Sequence, residues 1–451
     1  MAAWLVNLSR LISNLGTMRK FLSVSTPAFS LWSFVVLQHL VIGTFLLTRN
    51  PNRGGIGLSM DIYLAVVGVS TLVLAIFFAI QLVLYNKVVK VENLLIPIIF
   101  SLPMLALYIA MFINDDLKTA LSLTFLVIFI APYILWISNQ DTILTEKHLN
   151  SIILILSLSS FLISILQILE LIPVAQLNVR ESVASDGNRP TGLFFNAFAL
   201  STAAVMTYLV GLNNLLSKNR IWQSTLIVVT SVVTMVLAAT RTSLFLAVIL
   251  TVIFIFQNKF FSYGRALLAS GFAILVGIGA PFLSIPAGIR TGNQEWATLN
   301  GRTTLWNCVI DKADQFIPFG VGVDEAFPQG FCVSEGWFSR LRHPENMFLL
   351  SFVEAGFLGL ASYLILFVIT IWLSVRALKN GYALSLGFTT TFLMSSLIYV
   401  SMFHYVPFLL NRTADRGVFN FYIFVFLWLI IMAIGEYRVK NSISKNEVKS
   451  K

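Results

Sequence analysis

Apolar stretches of about 20 residues recur along almost the whole chain, and that recurrence limits the fold more than any other feature. Each is long enough to cross a ~30 Å hydrocarbon core as a helix. Lipid cannot hydrogen-bond free backbone groups, so a spanning segment must satisfy its own amides as a helix or join a closed barrel. The stretches show no dyad alternation of apolar and polar residues, which selects helices over a barrel. Charge agrees: only 11% of the 451 residues are charged and the mean hydropathy is +0.85, against roughly 25% charged in soluble domains. A water-soluble fold is excluded.

Spans are predicted near 28–48, 61–85, 94–114, 118–138, 150–173, 194–215, 221–240, 242–257, 264–285, 346–375, 382–403 and 418–437. The expected fold is therefore an all-α polytopic membrane protein of about twelve transmembrane helices. The expected organisation is a cytoplasmic N-terminal segment (1–27), helices 1–9 (28–285), a large periplasmic loop between helices 9 and 10 (286–345), helices 10–12 (346–437) and a cytoplasmic tail (438–451). Residues 1–27 carry Arg10, Arg19 and Lys20 without a good cleavage site, so the first helix is expected to be an uncleaved anchor.

The net charge of +10 does not point to nucleic acid, because the basic residues sit mostly in short loops between spans. With both ends inside, Lys87, Lys90, Lys147, Lys218, Arg220, Lys259, Arg265, Arg376 and Lys379 fall on the cytoplasmic side, the usual positive-inside bias. Phosphate loops of the Walker type are absent, so the chain carries no ATPase of its own.

Some arginines break that bias. Arg189, Arg241, Arg290, Arg302, Arg340, Arg342, Arg412 and Arg416 fall on the opposite face. Long loops translocate regardless of charge, but Arg241 sits in a tight Thr240-Arg241-Thr242 turn between two spans, where an ionisable group is expensive to keep. Arginine holds phosphate-rich ligands because its planar fork donates two parallel hydrogen bonds and stays charged. Arg189, Arg241 and Arg302 each lie where an outward loop meets a helix start, whose free amides and dipole also favour an anion. The plain alternative for each is anchoring to lipid headgroups.

The 286–345 segment contains Trp296, Trp306, Phe316, Phe319, Phe327, Phe331, Trp337 and Phe338, apolar surface enough for a small packed cap with a helix around 301–313. Both cysteines of the chain, Cys308 and Cys332, lie in it; they either form a loop-internal disulfide or remain buried thiols. Gly320-Val321-Gly322 is read as a tight turn. His343-Pro344-Glu345-Asn346 opens the tenth span, where a carboxylate or imidazole can act as general base toward a hydroxyl. Glu354 is expected about two turns further down that span, at lipid depth. His39, His148, His343 and His404 are scattered, and no metal site is expected.

In order, Arg-Pro-Thr-Gly-Leu-Phe-Phe-Asn (189–196), Thr-Arg-Thr-Ser (240–243), Gly-Arg-Thr-Thr-Leu-Trp (301–306), Pro-Phe-Gly-Val-Gly (318–322), His-Pro-Glu-Asn-Met-Phe-Leu (343–349) and Glu-Ala-Gly-Phe-Leu-Gly (354–359) resemble the O-antigen ligase and Wzy-type O-antigen polymerase family. The resemblance covers roughly 185–365. It implies a metal-independent, cofactor-free glycosyltransferase of the bacterial inner membrane facing the periplasm, whose donor is a glycan on undecaprenyl diphosphate. It also implies that Arg241 and Arg302, and less firmly Arg189, hold the diphosphate, with Asn346 as a further substrate contact. Its partners would be a second lipid-linked oligosaccharide, membrane lipids and, as a candidate, a chain-length regulator; nucleic acid is not among them. The ligases carry His directly before the Asn, whereas Glu345 stands there in this chain with His343 two residues earlier. That similarity favours a repeat-unit polymerase over a ligase and Glu345 over His343 as base. A flippase or secondary transporter shares the expected layout, although no internal repeat is visible.

Overall fold

The structure, a computed structural model, describes residues 95–114, 146–172, 190–192, 197–217, 220–238, 241–257, 302–322 and 346–398. Among these the regular elements are helical, with no strand. In chain order the α-helices are α1 (Leu95–Ile113), α2 (Glu146–Ile168), α3 (Ala197–Leu216), α4 (Ile221–Leu237), α5 (Arg241–Gln257), α6 (Arg302–Asp311), α7 (Met347–Lys379) and α8 (Leu384–Ile398). Helices α1, α3, α4 and α5 match predicted spans to within a few residues. Asn150–Ile168 within α2, all of α3 and α7 are long and apolar enough to cross a membrane. The spans expected near 28–48, 61–85, 118–138, 264–285 and 418–437 lie outside the described residues, as do both terminal segments.

Helices α2 to α5 form one bundle, α1 and α8 pack on α7, and α8 joins the two groups by packing on α3. In lipid, neighbouring helices gain no hydrophobic drive toward each other, so small residues and hydroxyls must hold them together. Gly211 does the first of these jobs: a β-carbon there would stand 2.9 Å from Ile227 of α4. Hydroxyls do the second. Ser157 of α2 bonds Thr230 (2.6 Å) and Ser231 (3.1 Å) of α4, and Ser231 also bonds Thr207 of α3 at 2.7 Å. Tyr208 bonds Thr251 of α5 at 2.6 Å. Such interhelical bonds contribute on average about 0.6 kcal/mol each.

The bundle has two distinct ends. At one, Asn214 near the close of α3 donates to Asn150 at the start of α2 (2.6 Å). At the other, Ser201 in α3 and Ser243 in the first turn of α5 share a hydrogen bond of 2.8 Å, so α3 and α5 start together. Helix α2 ends here too. Glu170 takes φ 56°, Leu171 N–H returns to Leu166 O (2.9 Å) and Glu170 N–H to Gln167 O (3.1 Å), a Schellman closure made without the usual glycine.

Helix α7 departs most from the sequence reading. Ala355 (φ −130°, ψ 15°) and Gly356 (φ 61°, ψ −147°) leave the helical region and divide it into a short arm, 347–354, and a long arm, 357–379. The short arm doubles back. A continuous helix would separate residues 348 and 367 by about 28 Å, yet the rings of Phe348 and Phe367 are 5.4 Å apart. The carbonyl of Ser351 lies so close to Gly359 that a β-carbon there would overlap it. The long arm alone is roughly 34 Å, enough for one crossing. It ends at Arg376 and Lys379, with Arg376 over the Trp372 ring at 5.7 Å, and a Gly381 turn returns the chain into α8. Glu354, buried at 2% exposure, stands about two turns into the arm, as expected, but the span reverses just beyond it instead of running on as one continuous helix, which corrects the sequence expectation.

Candidate functional site

The turn of α7 is closed by the Pro-Phe-Gly-Val-Gly segment. Val321 N–H donates to Val353 O (2.9 Å), Gly322 N–H to Glu354 O (3.1 Å), and Phe357 N–H returns to Pro318 O (3.0 Å). The break leaves backbone groups without helical partners, and this segment supplies them. Both chains need glycine where they cross. Gly320 has φ 73° and Gly356 φ 61°, and a β-carbon on either would overlap the opposite backbone. The tight turn expected at Gly320-Val321-Gly322 falls just before it, at residues 316–319, closed by Gly320 N–H to Phe316 O (2.8 Å), and Gly320-Val321-Gly322 itself pairs with the other glycine motif, Glu-Ala-Gly-Phe-Leu-Gly. Asn114, just beyond α1, reaches the same place with a 3.5 Å contact to Gly320 O.

Side chains seal this junction. Val309 of α6, Phe316, and Phe352 and Val353 of the short arm form one buried cluster, with Phe316 edge-on to Phe352 at 6.0 Å. Trp306, Leu349 and Leu360 pack around it. At roughly 1.5–3 kcal/mol for each large apolar side chain buried, the cluster fixes α6 on the short arm. The predicted helix around 301–313 is α6, followed by a turn of 3-10 helix at Ala313–Gln315.

From this cluster two helices lead to candidate residues. Helix α6 begins at Arg302, two turns before Val309. The short arm begins after Asn346, two turns before Val353. Asn346 is 8% exposed and extended (φ −144°, ψ 120°), and its side-chain oxygen accepts from Phe348 N–H (3.0 Å) and Leu349 N–H (3.1 Å). It is thus the N-cap of the arm, worth about 1 kcal/mol.

A second group forms at the α3–α5 end of the bundle. Arg241 is the first residue of α5, as expected for a helix-start cation. The Pro190-Thr191-Gly192 turn, which follows Arg189, is buried against the ends of α2 and α3: a β-carbon on Gly192 would stand 2.8 Å from Leu200 Cδ1 and 3.5 Å from Ser164 Oγ. Leu200 adjoins Ser201, the residue bonded to Ser243 of α5. The first turns of α3 therefore draw the Pro190-Thr191-Gly192 turn and the start of α5 to the same end of the bundle.

Sequence reasoning missed Gln167, which holds that turn from α2. At 1% exposure, its Oε1 accepts from Thr191 N–H (2.9 Å) and Gly192 N–H (2.8 Å), and its Nε2 donates to Gly192 O and Thr191 Oγ1 (both 3.3 Å). An amide inside an otherwise apolar stretch was the available signal. Arg189, His343, Glu345 and Cys332 lie outside the described residues. Cys308, half-buried beside the α6 cluster, is disulfide-bonded. No group of three or more potential metal ligands occurs among the described residues.

Helices long and apolar enough to cross a membrane, tied to one another by hydroxyl pairs among the described residues, mark this as a membrane protein. Residues 226–364 match the family model for O-antigen ligase, so that stretch is similar to this family, consistent with the resemblance read from its motifs. The match runs from α4 through α5 and α6 into the long arm of α7, taking in Arg241, Arg302, Glu345 and both crossing glycines. It supports a function of the O-antigen ligase and polymerase type, whose members are glycosyltransferase-like enzymes. No curated protein matches this chain.

Proposed function

We propose that this chain is an O-antigen polymerase of the bacterial inner membrane. It transfers a glycan from undecaprenyl diphosphate to the acceptor sugar of another lipid-linked repeat unit at the periplasmic face. The observation that carries this reading is the junction at α7: one hydrophobic cluster anchors both the helix that Arg302 opens and the arm that Asn346 caps. Glu345 immediately precedes that cap.

In this mechanism Glu345 removes the proton from the acceptor hydroxyl. The hydroxyl oxygen bonds to the anomeric carbon of the donor sugar as the bond from that carbon to the diphosphate breaks. Undecaprenyl diphosphate leaves with its added negative charge, which Arg241 and Arg302, with Arg189, neutralise through charge-assisted hydrogen bonds. With arginines in that role no metal is required, and no nucleotide takes part. A short arm that doubles back from the turn brings Asn346 alongside the long arm, which suits a donor whose tail stays in the bilayer while its head enters beneath a cap. A Cys308–Cys332 bridge would suit a cap held outside the cytoplasm.

A ligase of the same family would instead transfer finished glycan to lipid A core. Glu345 directly before Asn346 favours the polymerase. Deleting the gene and resolving surface polysaccharide by gel electrophoresis separates the two. Core capped by a single repeat unit is the result expected here. Long undecaprenyl-linked polymer left unattached would assign the ligase reaction instead.

A further inference from the structure

We propose that the start of α4 binds the phosphate of an anionic phospholipid, held by Arg220, the first N–H groups of α4 and Asn150 of α2. The site lies at the opposite end of the bundle from the start of α5, the end expected to face the cytoplasm, and does not depend on the transfer reaction above.

Two helix registers fix what stands there. Helices α2 and α4 run parallel, with Ser157 bonded to Ile227 O (3.4 Å), Thr230 and Ser231. Two turns back on the same faces stand Asn150 of α2 and Gln223 and Ser224 of α4. Helices α3 and α4 run antiparallel, since Thr207 bonds Ser231 and Gly211 lies against Ile227. One turn further along, that register brings Asn214 level with Ser224. Asn150, Asn214 and Ser224, all buried, therefore form one polar layer at the first turn of α4. Asn214 donates to Asn150 Oδ1 (2.6 Å), and Asn150 Nδ2 is left buried with no hydrogen-bond partner. Such a donor costs free energy until an acceptor reaches it.

The start of α4 adds further donors. Ser224 N–H pairs with Arg220 O (3.0 Å), so the N–H groups of Ile221, Trp222 and Gln223 precede the helical ladder. Arg220 makes no side-chain cap, and the first turn holds no acid. Instead the Arg220 guanidinium stands beside that turn, 3.4 Å from Gln223 Oε1. A cation at a helix N-terminus opposes the dipole. An anion between the guanidinium and the amides reverses the sign, accepts from both, and supplies the acceptor that Asn150 lacks.

What adjoins the site selects a lipid over free phosphate. Trp222 is 89% exposed, and with Leu226 and Val229, also exposed, it forms one apolar face along α4. Tryptophan at headgroup level with aliphatic residues beyond it suits a phospholipid whose phosphate sits at the helix start and whose chains follow that face. By sequence, Lys147, Lys218 and Arg220 outnumber Glu146 around this end, which favours an anionic lipid.

The test is native mass spectrometry of the purified full-length protein in detergent, titrated with phosphatidylglycerol or phosphatidylcholine, for wild type, Arg220→Ala, Asn150→Asp and Lys379→Ala. Wild type is expected to bind a single phosphatidylglycerol about tenfold more tightly than phosphatidylcholine, and excess inorganic phosphate is expected not to displace it. Arg220→Ala, a surface change, and Asn150→Asp, which still accepts from Asn214 but offers no amide donor, should each weaken binding about tenfold. Lys379→Ala removes a basic residue from the same expected membrane face and should bind within about twofold of wild type. Equal losses in Arg220→Ala and Lys379→Ala would reveal diffuse attraction to basic residues and overturn the site. Wild-type binding by Arg220→Ala or by a folded Asn150→Asp, or equal affinity for the two lipids, would overturn it as well. Displacement by inorganic phosphate would overturn the lipid as occupant. If Asn150→Asp fails to fold, the comparison of Arg220→Ala with Lys379→Ala decides alone.

Discussion

Replacing Glu345 with glutamine is expected to lower the rate of glycan transfer by about 10²–10⁴-fold, the usual contribution of a positioned general base. Donor binding and membrane insertion should be unchanged. The side chain keeps its shape and loses only its capacity to take a proton. Its neighbour Asn346 caps the short arm through its own carboxamide, so the arm does not depend on the Glu345 charge for its start. The paired variant is His343→Ala, assayed on the same lipid-linked donor. A retained rate in Glu345→Gln together with a dead His343→Ala would move the base to His343.

Replacing Arg302 with alanine is expected to abolish activity in a protein that still inserts. Each charge-assisted hydrogen bond removed is worth on the order of 1.5–3 kcal/mol, roughly a 10- to 150-fold loss, and a bidentate contact removes two. The fold should tolerate the change, because α6 is fixed two turns later by Val309 and Phe316 against Phe352 and Val353. Arg302→Lys tests the kind of contact. Lysine keeps the charge but not the planar fork, so it should recover only part of the loss if the ligand is a diphosphate. Full activity in Arg302→Ala, measured at saturating and at limiting donor, would remove this residue from the site.

Much of the helical framework was legible because the signal is coarse: runs of apolar residues near 20 long mark α1, α3, α4 and α5 closely. Hydropathy cannot register a change of direction within an apolar run, which is why α7 read as one straight span. Its reversal depends on Gly356 at φ 61° and on a backbone contact with Pro318, and neither alters hydrophobicity. The motifs Pro-Phe-Gly-Val-Gly and Glu-Ala-Gly-Phe-Leu-Gly were visible separately. That they are two halves of one crossing follows only from their hydrogen bonds. At the candidate site, Arg241 and Arg302 at helix starts were foreseen from position and charge. Asn346 was foreseen as a ligand contact, and its oxygen is committed to a cap. Gln167 escaped notice because its role lies in a pairing with residues more than twenty positions away, which no local pattern encodes.

The most direct measurement reconstitutes the protein in liposomes with undecaprenyl-diphosphate-linked repeat units and follows both lipid and glycan. The account predicts a ladder of lengthening glycans, with free undecaprenyl diphosphate released in equal amount to the glycosidic bonds formed. Lipid-linked units that cross the bilayer intact, or persist without any release of undecaprenyl diphosphate, would contradict it.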